Sequence, residues 1–477
     1  MTERVKIAWI YLAAALFLAV NLYLVAHKDV YYFFALPVVL GVLLLYVFSL
    51  DKVLLLITFL TPLSIDVTDV EAGLGISLPA EPLMFGVMML FFARILYDKG
   101  YDMRIANHRI SYAIYLMFFW MLITTFTSEL PIVSIKYLVS RMWFVVPFFF
   151  VGALAFQRIK NIHWYFWLYN AGLLIAIAYT NINHATYGFS EASAHWVMSP
   201  LYNDHTAYGA ALAMYLIVTI GYFFYPGLRK TQRFWILIMV IILAVATLLS
   251  LSRAAWISLG AALLVYVAVY LRIKFRWILA SIVLVVGVLY TFQHEIIDVL
   301  EKNKQDSSAD FVEHVQSIYN ISSDASNLER INRWQSAIRL YHERPVFGWG
   351  PGTYQFVYGP FQRSKEKTII STNVGDGGNA HSEYIGPLSE MGLPGMLIVM
   401  LLVGLMVYTG LNVHKRARSR KIRILSLAVT LALISYFVHG LLNNFLDTDK
   451  LSVPVWGFMA ILVVFEIYYI DKEDVKG

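Results

Sequence analysis

Uninterrupted apolar runs of about twenty residues constrain this chain more than any other feature, because that is the length of helix needed to cross a hydrocarbon layer of about 30 Å. In lipid every backbone N–H and C=O must find its partner inside the protein, so only helices and closed barrels span it. A barrel would alternate apolar and polar residues in short segments; here the runs are continuous. Of 477 residues, 59% are hydrophobic and 14% charged, against about 25% charged in a soluble domain. Burial grows too slowly with chain length for a soluble core to absorb that excess, and the mean hydropathy is +0.64. The chain therefore reads as an all-α polytopic membrane protein. Soluble enzymes, secreted disulfide scaffolds and disordered chains are excluded. The absence of cysteine removes thiolate chemistry and Cys-ligated metals.

Fourteen spans are expected, at 7–26, 31–49, 52–66, 80–97, 110–127, 134–156, 163–182, 201–224, 234–250, 254–271, 275–292, 384–411, 422–443 and 451–470. The second and third are short and separated only by Leu50-Asp51-Lys52, so the count is about 12–14. The chain divides into an N-terminal bundle (1–292), a polar loop subdomain (293–383) and three C-terminal helices (384–477). With both termini inside, 23 Lys and Arg fall on the inner side, 5 in short outer segments and 9 in the long loop. That bias in short loops sets orientation, and it accounts for the net charge of +6 without any nucleic-acid partner. Both termini are therefore expected in the cytoplasm and the long loop outside.

Loops of about ninety residues carry function or are disordered. This one has helical character from Asn327 to Glu343 after Ser326 as N-cap, and Pro345 with Gly348, Gly350 and Gly352 ends it. Within the glycine-rich stretch the Walker lysine is missing, so it reads as a turn. Arg253 lies where two spans meet on the outer side, and Arg141 a few residues inside the outer end of another. Ionisable residues at such depth face a cavity, a partner or a ligand; the alternative is that they snorkel to headgroups. The loop helix adds Arg330 and Arg333. Guanidinium groups match phosphate oxygens in pairs of hydrogen bonds, so the arginines read as a diphosphate site. His381, where the loop re-enters the membrane, suits proton transfer near neutral pH. Asp447 and Asp449 suit helix capping better than metal binding, with only two carboxylates beside Lys450.

At these positions the sequence resembles the O-antigen ligase / O-antigen polymerase family of bacterial envelope glycosyltransferases. His381, Ser382, Gly392 and Gly395 fit its motif of His, then Asn, Ser or Gln, nine residues, Gly, two residues, and Gly, Thr or Tyr. Leu251 to Trp256 is similar to the family's Ser-Arg signature. Arg330, Trp334, Pro345, Gly348 and Gly350 match an Arg-x-x-x-Trp…Pro-x-x-Gly-x-Gly stretch. The similarity covers about 235–395.

The resemblance implies a GT-C-like fold with one large, mainly helical periplasmic loop. It implies a metal-independent, inverting transfer with no cofactor, from a glycan on undecaprenyl diphosphate to an acceptor hydroxyl at the periplasmic face of the inner membrane. Lipid A–core as acceptor makes the chain an O-antigen ligase. A repeat unit makes it a polymerase, and a protein makes it an O-oligosaccharyltransferase. On this reading Arg253, Arg330, Arg333 and Arg141 hold the diphosphate, and His381 is the base. A lipid-linked-oligosaccharide flippase is the alternative of a different class. Such transporters show inverted repeats and broken mid-membrane helices, which this sequence lacks.

Overall fold

The computed structural model describes residues 3–28, 31, 33, 35–69, 74–98, 100–274, 287, 291, 329–367, 371 and 378–473. The expected span at 275–292, apart from 287 and 291, and the expected N-cap at Ser326 lie outside them. Residues 1–54 and 55–477 form two compact units. The first holds α1 (Glu3–Lys28) and α2 (Ala35–Phe48); apart from the first residues of α3 (Leu50–Leu60), everything discussed below lies in the second.

The protein is a multi-pass helical membrane protein. Among the described residues nine helices are long and apolar enough to cross a bilayer. They are α4 (Ala80–Tyr97), α5 (Arg109–Phe126), α6 (Pro131–Ala155), α8 (His205–Phe223), α9 (Lys230–Leu249), α10 (Arg253–Tyr270), α12 (Ile385–Arg416), α13 (Arg420–His439) and α14 (Asp449–Tyr469). The expected third span is shorter than read. α3 (Leu50–Leu60) ends in a tight turn around Pro62, whose ring cannot continue the helix. An antiparallel pair follows, β1 (Ile65–Asp69) with β2 (Leu74–Leu78), Ile65 opposite Leu78. The expected seventh span is longer than read: α7 runs from Ile159 to Thr186. The eighth starts four residues late, because Asp204 caps α8 through its carboxylate to the backbone N–H of Thr206 (2.7 Å) and Ala207 (2.8 Å).

α14 is the axis of the bundle. Every residue from Asp449 to Val464 is buried, and α6, α8, α12 and α13 pack on it. Pro454 leaves the carbonyl of Lys450 without its helical donor; the Tyr169 hydroxyl supplies one at 2.6 Å. Asp449 and Lys450 are buried as well. Lys450 Nζ donates to the carbonyls of Thr61 (2.7 Å) and Ser64 (2.6 Å), and Asp449 accepts from the Ser64 hydroxyl. Neither Asp447 nor Asp449 caps a helix, as the sequence had indicated: Thr448 is the N-cap of α14, without a side-chain cap bond.

The long loop contributes α11 (residues 329–343) and short helical turns after it. Ala337, Leu340, Tyr354, Tyr358 and Ala380 form its own small core, with Tyr354 stacked on Tyr358 at 4.9 Å.

Candidate active site

The glycine-rich turn is what fixes the loop to the membrane helices. Gly348, Gly350 and Gly352 all have positive φ (66°, 110° and 74°), open to glycine and costly for other residues. That bend lets Trp349 N–H donate to Ser389 O (3.1 Å) and Gly350 N–H to Glu390 O (2.8 Å), while Leu393 N–H donates to Pro345 O (2.9 Å). Those contacts are backbone to backbone, so there is no room for side chains. A Cβ on Gly348 would meet Met391 N at 2.5 Å, and one on Gly392 (φ 68°) would meet Pro345 O at 2.7 Å. Gly348 and Gly392, one from each motif, therefore meet in one docking joint.

The joint sets α11 over residues 378–384. Arg333, on α11, is gripped by Glu329 (Nε to Oε1, 3.0 Å) one turn earlier. Its Nη1 donates to Asn379 O (3.2 Å) and to His381 Nε2 (3.1 Å). A guanidinium has only donors, so Nε2 accepts and a neutral His381 carries its proton on Nδ1. His381 is partly buried, in a left-handed backbone conformation (φ 47°) that is uncommon outside glycine and concentrates at functional sites. Asn379 Oδ1 holds it there by accepting the His381 N–H (3.1 Å). The next residues are stitched to the end of α13 and the loop after it. Glu383 N–H donates to Gly440 O (2.8 Å), and Glu383 Oε1 accepts from the backbone N–H of Phe445 (2.8 Å) and Leu446 (3.0 Å) and from the Tyr436 hydroxyl.

Burial, then the charges of Arg333 and Arg330, hold the His381 imidazole down at about 3, with Asp204 opposing. Burial also lowers Arg330, with the charge of Arg333 adding to it and that of Asp204 opposing; it stays charged at neutral pH. Three groups that sequence reasoning passed over join this cluster. His205, at the start of α8, faces His195 (Nδ1 to Nδ1, 3.3 Å) and Arg330. His439 closes α13 beside Asp204, Arg330 and the backbone of Ala254. Asp204 both caps α8 and balances the arginines. The signal for Asp204 and His205 was an Asn203-Asp204-His205-Thr206 run at the mouth of an apolar span; His439 had none.

The structure thus brings Arg330, Arg333 and His381 together. Arg253 is the first residue of α10, exposed, after the N-cap Ser252. Ala254 beside it reaches His439, so Arg253 borders the cluster. The approach is tight: a Cβ on Gly209 of α8 would meet Ser252 Cβ at 2.7 Å. Leu251 just before has φ 48°. Arg141 lies elsewhere. It is buried on α6, donates to Leu446 O and to the Tyr137 hydroxyl, and lines a cavity of about 590 Å³ that His381 and the other arginines do not line. Among the described residues no group of three or more His, Asp or Glu is placed to hold a metal.

Two half-buried arginines, one of them hydrogen-bonded to a neutral imidazole, can bind a dianion, and the imidazole can then accept a proton next to it. Residues 238–400, about a third of the chain, match the family model described as O-Antigen ligase. No curated protein matches the chain. The matched segment contains α10, α11, the glycine joint and His381, and over that third of its length the chain is similar to the O-antigen ligase family.

Proposed function

We propose that the protein transfers a glycan from undecaprenyl diphosphate to an acceptor hydroxyl at the periplasmic face of the inner membrane, with inversion and without a metal, as an O-antigen ligase with lipid A–core as acceptor. The observation that carries this is the Arg333–His381 hydrogen bond, with Arg330 alongside at the mouth of the bundle. Arg330, Arg333 and the bordering Arg253 take the diphosphate. As the bond from C1 to the diphosphate oxygen breaks, its electron pair stays on the leaving group, and fixed guanidinium groups stabilise that charge. The acceptor oxygen bonds to C1 from the opposite face and its proton passes to His381.

A base held at about 3 is a poor one, since proton transfer works best with a pKa near the working pH. The geometry supplies a remedy. Arg333 occupies Nε2 with a hydrogen bond and depresses the imidazole with its charge. When Arg333 turns to the diphosphate, Nε2 is released and the incoming negative charge lifts the imidazole pKa. Donor binding thereby switches the base on.

The test is reconstitution in liposomes with an undecaprenyl-diphosphate glycan and a panel of acceptors. The expected result is glycan on the acceptor, linked with inverted anomeric configuration. Movement of the lipid-linked glycan across the bilayer with no transfer to any acceptor would replace this reading by the flippase.

A further inference from the structure

On the far side of the 379–383 segment from His381, the cavity of about 590 Å³ is lined by Asn379, Ala380, Ser382 and Glu383 of that segment. We propose that this cavity is a saccharide site that accepts neutral or amino sugars and excludes anionic ones; calling its ligand the acceptor rests on the transfer reading above.

The cavity has the size of small-molecule sites. It also has both kinds of surface that a sugar presents to a protein. Trp143, Phe356 and Trp456 line it with apolar area for the C–H faces of a pyranose. Trp456, 1% exposed, has an indole N–H that no described residue accepts. Glu81, Glu383, Glu390 and Asp447 line it with carboxylates, acceptors for hydroxyl and ammonium groups. Lys136 and Arg141 are the only cations on the lining. Arg141 is already committed: it donates to Leu446 O and Tyr137 and lies beside Glu383 and Asp447. With Arg141 engaged by Leu446 O, Tyr137, Glu383 and Asp447, a phosphorylated or uronic sugar meets acidic side chains and no uncommitted guanidinium as it loses water, whereas hydroxyl and amino groups find acceptors. Like-charge juxtaposition is a strong means of rejecting the wrong ligand.

Position gives the cavity its purpose. It shares a wall, only five residues long, with the catalytic candidate, and that wall is pinned at Glu383. A sugar held there lies against the backbone that carries His381.

The experiment is calorimetric binding to the full-length protein in nanodiscs of three soluble trisaccharides: chitotriose (neutral), the glucosamine trimer (cationic) and trigalacturonate (anionic). Saturable binding of the first two, with trigalacturonate weaker by about tenfold or more, is expected. Asp447 lines the cavity, and its carboxylate accepts from Asn444 (3.3 Å) beside Arg141 and Glu383, so the isosteric Asp447→Asn should fold normally. It is expected to strengthen trigalacturonate and weaken the glucosamine trimer, with chitotriose unchanged. Ser140→Phe, on the lining, should block all three while undecaprenyl diphosphate still binds. Absence of saturable binding at millimolar concentration, equal binding of trigalacturonate, or full binding to a folded Ser140→Phe protein would each overturn the site. Transfer in a protein that binds no trisaccharide sinks this site alone; ordered trisaccharide binding with no transfer sinks only the transfer reading.

Discussion

His381 owes its position to residues that are distant in sequence, and its weakness as a base first to burial and then to one of them. General-base assistance is worth about 10² to 10⁴-fold, so His381→Ala should lose that much turnover while keeping undecaprenyl-diphosphate affinity and melting temperature. Turnover within about threefold of wild type would end its role as base; joint loss of binding and stability would make it a structural pin. The partner allows a second check. Arg333 disfavours protonated imidazole through both its charge and its donated bond, so Arg333→Met must raise the His381 pKa from about 3 towards the ordinary 6.5. Followed by NMR of histidine-labelled protein, the resonance should stay neutral down to about pH 3 in wild type and protonate at higher pH in the variant. Identical titrations would show that burial alone sets the value. His381 and Arg330 were legible in the sequence because their spacing survives as a motif, and Arg333 because it shares the loop helix with Arg330. Asp204, His205 and His439 were not, because nothing in a linear chain brings the starts of α8 and α10 and the end of α13 to one loop helix.

Among the elements, the joint between the 345–352 turn and α12 does the positioning. Gly348 combines a positive φ with carbonyl and amide atoms of 390–391 where a Cβ would go. Backbone strain of that kind costs about 1–3 kcal/mol before any clash, so Gly348→Ala should lower the melting temperature and cut transfer together. Gly404, in α12 with nothing within 4 Å of its would-be Cβ, is the control. Gly404→Ala should be neutral or stabilise by about 0.5–1 kcal/mol. If both variants melt alike, the joint is not what holds the loop. The glycines were read from sequence as a turn, yet not as a contact, since spacing shows where a chain bends and not what it bends against. Apolar length likewise located the described long spans to within five residues at either end. It overran at α3, where Pro62 and the β1–β2 pair replace the end of a span, because hydropathy does not see backbone hydrogen bonding.

For the whole molecule, function depends on which side of the membrane the cluster faces. The charge bias of the short loops is the ground for expecting the Lys415–Arg423 connection inside and the long loop outside. The structure makes both places testable in this cysteine-free chain. Ser364 is exposed in the loop, and Arg420, exposed, begins α13 on the connection; its neighbour Ser419 is buried and a poor site for a probe. In intact cells with a permeabilised outer membrane, Ser364→Cys should react with an impermeant maleimide. Arg420→Cys should react only after the inner membrane is opened. Both variants should retain transfer, since neither residue touches the cluster or the cavity. A diphosphate-linked donor presented at the outer leaflet can reach Arg330 and Arg333 only in that orientation. The opposite labelling pattern would place His381 in the cytoplasm and leave the proposed acceptor out of its reach.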